Sequence, residues 1–311
     1  MTHVTPVPIK DFKSPWQIKC DSQGYRYLAW VCDSVLHCLK TDSKGTVIFH
    51  NHNPICHPPT QLLLSTDLAG YIYLAWTTSQ EDENQKEDIW VLHQLSSMGH
   101  PQWSREIHLP HGQQVILQED RLRSIHLEKN RFSITDHENH ISTVRVPSCV
   151  HWPYTMADFD QEHVCLISQR TCLTTLDLEH QTFWSYDADT EPSQSLCVCR
   201  DLSKMTYLIR IDLEGNMFLD CLDSCGHLQW SNLVQTDPTI VQTGLSFDPE
   251  NQISVAWTNL SHMGQQLRYS THGVLIDSHD LLLPGECRVL HSENGYVTYL
   301  VEHQNNCELY L

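Results

Sequence analysis

Short apolar stretches recur along the chain and are separated by polar turns. Three of these stretches are nearly alike: GYRYLAW ends at Trp30, GYIYLAW at Trp76 and NQISVAW at Trp257. They are rich in Val, Ile, Tyr and Trp, which are common in strands, and no apolar stripe with helical periodicity continues for three turns. The pattern therefore predicts an all-β fold.

The three stretches belong to a longer series, whose other members end at His126, Ser168, Arg210 and Val301. Successive members are about 45 residues apart, which is the period of a propeller blade of four strands. Turns such as DLAG at 67–70 separate the strands and place Gly where positive φ is needed. We therefore predict a seven-bladed β-propeller that forms a single domain. Its blades cover roughly residues 15–52, 60–109, 114–147, 155–190, 194–235, 242–283 and 286–311 plus 2–9.

The last of these repeats holds only three strands before the chain ends at Leu311. We expect residues 2–9 to supply its fourth, outermost strand and so to close the ring. Pro6 and Pro8 are two positions apart, so their missing N–H groups face the same side of that strand, where solvent can replace the ladder bonds. Closure also pairs two strand edges that would otherwise be exposed.

The second repeat, GYIYLAWT followed by DIWVLHQLSSMGHPQWSREI, resembles the repeat of bacterial-type seven-bladed β-propellers. The fifth, NMFLDCLDSCGHLQWSNLV, resembles its second half. The resemblance covers most of the chain and implies four-stranded blades. Proteins with such propellers include binding platforms, assembly factors and a minority of enzymes, so the resemblance implies an architecture rather than one activity.

Charge narrows the class of partner. The 311 residues include 19 Lys plus Arg and 38 Asp plus Glu, for a formal net charge of −19. This acidity disfavours binding to nucleic acid or to anionic membranes, which depends on Lys and Arg. We expect a monomer that binds a protein partner, with a basic surface as the complement to its charge.

Targeting and cysteine content point to a reducing compartment. The amino terminus lacks the apolar core of a secretory signal, and no apolar run is long enough for a transmembrane helix. The 13 cysteines are odd in number and fit buried free thiols better than a disulfide framework. We predict a cytoplasmic location, and export into a host cytosol without a signal sequence would leave the same pattern.

Two loops are candidates for partner binding. PSCVHWPY at 147–154 carries a Trp with no equivalent in the other repeats, and 77–88 is the longest acidic insertion. Loops on a rigid frame vary without disturbing it, and exposed Trp is enriched at binding hot spots. The predicted partner-binding residues are His151, Trp152, Tyr154, Glu81, Asp82 and Glu83.

A third loop is a candidate metal site, although we expect no other cofactor. HNHNPICHPP at 50–59 places His50, His52, Cys56 and His57 in a predicted connection between blades. Imidazole and thiolate are ligands for zinc or copper. With 21 His in the chain, a chance cluster in a polar loop is the competing interpretation.

An enzyme remains the other alternative. The sequence has no nucleophile elbow and no phosphate-binding loop, but a hydrolase or lyase could use carboxylates or His at the channel mouth. Asp160, Asp201 and Asp248 fall in the first turn of their repeats, which favours a role in the turn. The shared positions of the other tryptophans favour structural packing. These are Trp30, Trp76, Trp257, Trp103, Trp184 and Trp230.

Overall fold

The regular elements of this computed structural model are strands and turns, and no helix occurs among the described residues. The structure describes residues 7–9, 15–78, 87–111, 113–128, 131–136, 141–145, 154–159, 163–168, 172–177, 182–187, 197–201, 203–212, 214–248, 250–281, 283–303 and 306–310. The predicted all-β class is confirmed.

The strand bounds follow the predicted repeats closely. The strands are β1 (Val7–Ile9), β2 (Trp16–Cys20), β3 (Arg26–Cys32), β4 (Val35–Thr41), β5 (Val47–Pro54), β6 (Leu62–Thr66), β7 (Ile72–Thr77), β8 (Glu87–Leu95), β9 (Pro101–Pro110), β10 (Gln114–Gln118), β11 (Arg121–Glu128), β12 (Arg131–Asp136), β13 (Ile141–Arg145), β14 (Tyr154–Phe159), β15 (His163–Ser168), β16 (Cys172–Asp177), β17 (Thr182–Asp187), β18 (Cys197–Arg200), β19 (Thr206–Ile211), β20 (Asn216–Leu222), β21 (Leu228–Thr236), β22 (Ile240–Phe247), β23 (Ile253–Asn259), β24 (Gly264–Tyr269), β25 (Leu275–Asp280), β26 (Glu286–Glu293), β27 (Tyr296–His303) and β28 (Asn306–Tyr310).

The chain divides into two compact units. Unit 1 comprises Met1–His126, Ser133–Ser142 and Asn305–Leu311, and unit 2 comprises Leu127–Phe132 and Thr143–Gln304. In unit 1, β2–β5 and β6–β9 each form a four-stranded antiparallel sheet in sequence order, and in unit 2 β14–β17, β18–β21 and β22–β25 do the same. β10 pairs with β11 and β26 with β27, also antiparallel.

The second strand of a sheet carries the core. All seven residues of β3 and all six of β7 are buried, and in unit 2 β23 is buried throughout. The tryptophans that end these strands, Trp30, Trp76 and Trp257, are at most 9% exposed. They pack in the core as predicted, since a buried indole contributes a large apolar area.

The turn between the first two strands is built on an aspartate. The Asp67 side chain accepts the Tyr71 N–H, its main-chain carbonyl accepts the Gly70 N–H, and Gly70 has φ +81°. The other carboxylate oxygen accepts the hydroxyl of Tyr73 at 2.9 Å. Asp201 makes the same contacts in unit 2, with Tyr207 as the hydroxyl donor. The side chain thus completes the turn and fixes it to the next strand.

Outer-strand aromatics hold the turn of the next sheet. In unit 2, the Trp230 Nε1 donates to the Thr271 carbonyl at 3.3 Å, and Asn232 Nδ2 donates to the Gly273 carbonyl at 2.6 Å. A Cβ at Gly273 would lie 3.1 Å from the Trp230 ring. The outer-strand position of Trp230 is therefore used for packing between sheets, as predicted.

The two ends of the chain meet within unit 1. β1 pairs antiparallel with β28, with Val7 opposite Leu309 and Ile9 opposite Cys307. Ile9 is buried. Residues 2–6 of the predicted strand lie outside the described residues.

None of the described segments forms a helix that could span a bilayer. The cysteines whose side chains the structure describes are free thiols, many of them buried.

Candidate functional site

The predicted partner-binding residues fall largely outside the described part of the chain. Tyr154 begins β14, and only its backbone is described. His151, Trp152, Glu81, Asp82 and Glu83 lie outside the described residues, as does Asp160. The partner-binding role of these residues therefore stays a prediction.

His50 and His52 lie in strand β5 rather than in a connection between sheets, because β5 continues to Pro54. Side chains two apart on a strand share a face, so both histidines point to the same side of the sheet. On the neighbouring strand β4, His37 is directly opposite His52. The sheet thus brings together three imidazoles that the sequence separates by up to 15 positions.

The three rings are in mutual contact. The Nδ1 atoms of His37 and His52 are 2.9 Å apart, a hydrogen bond in which one ring donates and the other accepts. The centroids of the His50 and His52 rings are 4.2 Å apart, and those of His37 and His50 are 5.6 Å apart. One nitrogen from each ring lies within 4.8 Å of the others, in an arrangement that can hold a metal ion. We call these three residues the histidine cluster.

A buried indole supports the cluster from below. Trp30 is opposite His37 on β3, and the two rings stack with centroids 4.7 Å apart and an interplanar angle of 8°. Trp30 also lies 5.2 Å from the His50 ring. His37 is half-buried between this indole and the surface, whereas His50 and His52 are exposed. The core thus fixes one ring and leaves the other two open to solvent.

The environment of His50 favours its neutral form. Burial against the cluster, with the neighbouring charges of His52 and His37 acting in the same direction, lowers the pKa of His50 from 6.5 to about 4. Desolvation and like charge both disfavour an imidazolium. The His50 ring nitrogen is therefore unprotonated at neutral pH and has a lone pair to donate.

Cys56 and His57 do not join the histidine cluster. Both are exposed and follow the end of β5, beyond the Ile55 N–H that bonds to the Ser34 carbonyl. His37 was missing from the sequence prediction, although the HNH spacing and the turn at 42–45 carried the signal. A hairpin folded at that turn brings the middle of VLHCLKT against HNH.

Asp201 and Asp248 complete turns. Asp201 Oδ1 accepts the N–H groups of Ser203 and Met205 at 2.9 Å. Asp248 accepts those of Glu250 and Gln252 at 2.9 and 2.8 Å. Their sequence-predicted role in turns is therefore confirmed.

An apolar surface is exposed at one end of sheet β6–β9. Leu68, in the β6–β7 turn, is 96% exposed, Met98, in the β8–β9 turn, is 57% exposed, and Tyr71 is 38% exposed. The two turns are adjacent, since a Cβ at Gly70 would lie 3.4 Å from the Cβ of Ser97. We call Leu68, Tyr71 and Met98 the turn surface.

Comparisons with known proteins concern the fold. No protein-family model and no curated protein sequence matches the chain. Virginiamycin B lyase from Staphylococcus aureus is similar with a TM-score of 0.60 at 9% identity, over 99% of both chains. The WD40 domain of Toxoplasma gondii coronin gives a TM-score of 0.57 at 11% identity, over 97% of this chain and 83% of that one. BBS1N, solved in complex with ARL6DN, also gives 0.57 at 11% identity, over 99% and 95%. The chain therefore has a β-propeller fold, and its neighbours include both an enzyme and interaction domains.

Proposed function

We propose that this chain is a cytosolic scaffold, a monomeric seven-bladed propeller that binds a basic protein partner. Each predicted blade is one repeat of about 45 residues. The ring is closed by β1, which joins β28 as the outermost strand of the last blade. The pairing of Ile9 with Cys307 supports this closure.

The turn surface is the observation that carries the binding proposal. Tight turns favour polar residues or Gly, so the fold itself does not require Leu at position 68 or Met at position 98. Met and aromatic side chains are enriched in protein interfaces, where Met adapts to the shape of a partner. Covering Leu68 and Met98 would remove apolar area from water, at about 1.5–3 kcal/mol for each fully buried side chain.

Charge defines the kind of partner. The formal charge of −19 repels other acidic proteins and attracts a basic one over a distance of several ångströms. The acidic connection at 81–83 adds to this attraction at the opposite end of sheet β6–β9 from the turn surface, since the chain leaves β7 after Thr77 and enters β8 at Glu87. Trp152, with His151 and Tyr154, provides a second anchor in the proposal.

Known structures with this fold show that such a frame can present a protein-binding surface. BBS1N was solved in complex with ARL6DN. That likeness concerns the fold and does not identify a partner for this chain.

Affinity purification followed by quantitative mass spectrometry tests the proposal. The bait proteins are the wild-type chain, Leu68→Ser/Met98→Ser and Trp152→Ala. We expect the wild type to enrich a basic protein, and we expect one of the two variants to lose most of it because an apolar anchor is gone.

Leu260→Ser/Met263→Ser is the matched control, because Leu260 and Met263 are 68% and 62% exposed in a turn of unit 2. This control should retain the partner. Equal recovery by all four baits would contradict binding through either surface. Enrichment of RNA-binding complexes that disappears after nuclease treatment would contradict a protein partner.

A further inference from the structure

The histidine cluster occupies positions that sister sheets fill with other residues. The row Trp30, His37, His52 runs across β3, β4 and β5. In sheet β6–β9 the corresponding row is Trp76, Val91, Glu106. In sheet β22–β25 it is Trp257, Gln265, Asp280. The fold therefore accepts Val or Gln where the first sheet has His37.

The position of His50 is still more distinctive. His50 lies opposite Leu39, and the corresponding residues of the outer strands are Ser104 opposite His93 and Ser278 opposite Leu267. The residue that follows the outer-strand aromatic is also serine at Trp184-Ser185 and Trp230-Ser231. The repeat thus favours a small polar residue at this position. The exposed imidazole of the first sheet is a departure from the repeat that packing does not explain.

We propose that His37, His50 and His52 bind a divalent transition-metal ion, with zinc as the best match. Zinc in proteins is bound by imidazole nitrogens at about 2.0–2.1 Å, so two ligands of a tetrahedral ion lie about 3.3 Å apart. The 2.9 Å between the Nδ1 atoms of His37 and His52 is close to that spacing. The third nitrogen, within 4.8 Å, comes into range by a small rotation of the exposed His50 ring.

The chemistry of the donors selects the ion. Three neutral imidazoles suit zinc, copper and nickel, whereas calcium and magnesium prefer oxygen ligands. Binding needs one ring of the His37–His52 pair to move its proton to the outer nitrogen, so that both inner lone pairs face the ion. The Trp30 stack holds the His37 ring in place for this role. Three protein ligands leave a fourth position for water or for a group of a bound partner.

Titration of the metal-stripped full chain with Co²⁺ and Zn²⁺ tests the site. We expect one ion per chain, with visible cobalt bands typical of nitrogen and oxygen ligands, and Zn²⁺ should raise the melting temperature. His50→Ser and His37→Val, which copy sister sheets, should each weaken binding by at least about tenfold, since loss of even an outer-shell partner costs 10–100-fold.

His57→Ala and Cys56→Ser are the controls, because these residues are exposed nearby in sequence but outside the histidine cluster. Both controls should bind like the wild type. The proposal is wrong if Zn²⁺ does not bind, if His50→Ser binds as tightly as His57→Ala, or if the cobalt spectrum shows thiolate charge-transfer bands that Cys56→Ser removes. Melting temperatures of the metal-free variants within a few degrees of the wild type would show that folding is intact.

Discussion

Tyr73→Phe tests how the aspartate turn below the turn surface is held. The Tyr73 hydroxyl donates to Asp67 at 2.9 Å and accepts from Gln94 Nε2 at 3.0 Å, and its side chain is almost wholly buried. Phe keeps the ring and removes only the hydroxyl. A hydrogen bond to a charged group contributes about 1.5–3 kcal/mol, so we expect the free energy of unfolding at pH 7 to fall by about 2 kcal/mol.

Alkaline pH should reduce this difference. Burial, together with the hydrogen bond to Asp67, raises the pKa of Tyr73 from 10.0 to about 12. Between pH 10 and 12 the unfolded chain therefore releases a proton that the folded chain keeps, and stability falls as pH rises. At pH 11 this costs the wild type about 1.4 kcal/mol, which Tyr73→Phe does not lose. The difference between the two proteins should shrink to about 0.6 kcal/mol.

Urea unfolding under reducing conditions at pH 7, 9 and 11, followed by tryptophan fluorescence, measures both values. Other tyrosines titrate in both proteins and cancel in the comparison. Tyr71→Phe is the control, since Tyr71 is on the same turn but exposed, and it should change stability by less than about 0.5 kcal/mol at each pH. A difference for Tyr73→Phe that stays constant from pH 7 to 11 would refute the reasoning.

Three further predictions concern other parts of the fold. Asp220 is fully buried and its ion pair with Arg210 has an N–O distance of 2.5 Å, so Asp220→Leu should cost about 3–5 kcal/mol in urea unfolding, most of it recovered by Arg210→Leu/Asp220→Leu; equal losses for both would contradict an unpaired charge as the cause. The backbone N–H of His227 lowers the pKa of Asp223, so the wild type should lose melting temperature as pH falls below about 4, and Asp223→Asn should lose less; parallel pH profiles would argue otherwise. Deleting residues 1–9 removes buried Ile9 and uncovers the edge of β28, so the truncated chain should melt lower and aggregate, and an unchanged melting curve would speak against closure by β1.

The fold could be predicted from the sequence because each repeat carries several consistent local signals. The Trp that ends the second strand, the Asp that begins a turn and the Gly at its fourth position recur at fixed spacing. Gly70 has the positive φ that such a turn needs, and Trp76 is buried at the predicted position. Strand and turn signals of this kind depend on neighbouring residues, so they are visible in the sequence itself.

The histidine cluster could be predicted only in part, because it depends on strand register. Thr41 pairs with Val47, but a bulge next to it makes Lys40 pair with Phe49, and from there His37 comes opposite His52. Without the bulge, His37 would face Asn51, and the faces of the two strands would no longer match. A bulge adds one unpaired residue for reasons of local geometry, and the sequence of this hairpin does not mark it. His50 and His52 were therefore found as candidates, whereas His37 was not.

The dissociation rate of the basic protein recovered by affinity purification tests the scaffold proposal most directly. It is measured by biolayer interferometry on the immobilised wild type, Leu68→Ser/Met98→Ser and the control Leu260→Ser/Met263→Ser. Loss of two apolar anchors should speed dissociation from the turn-surface variant at least about tenfold, equivalent to about 1.4 kcal/mol, and leave the control unchanged. Neutralising Glu81, Asp82 and Glu83 should instead slow association and reduce its dependence on salt. Equal dissociation rates from all immobilised proteins, with association independent of salt, would contradict the proposal.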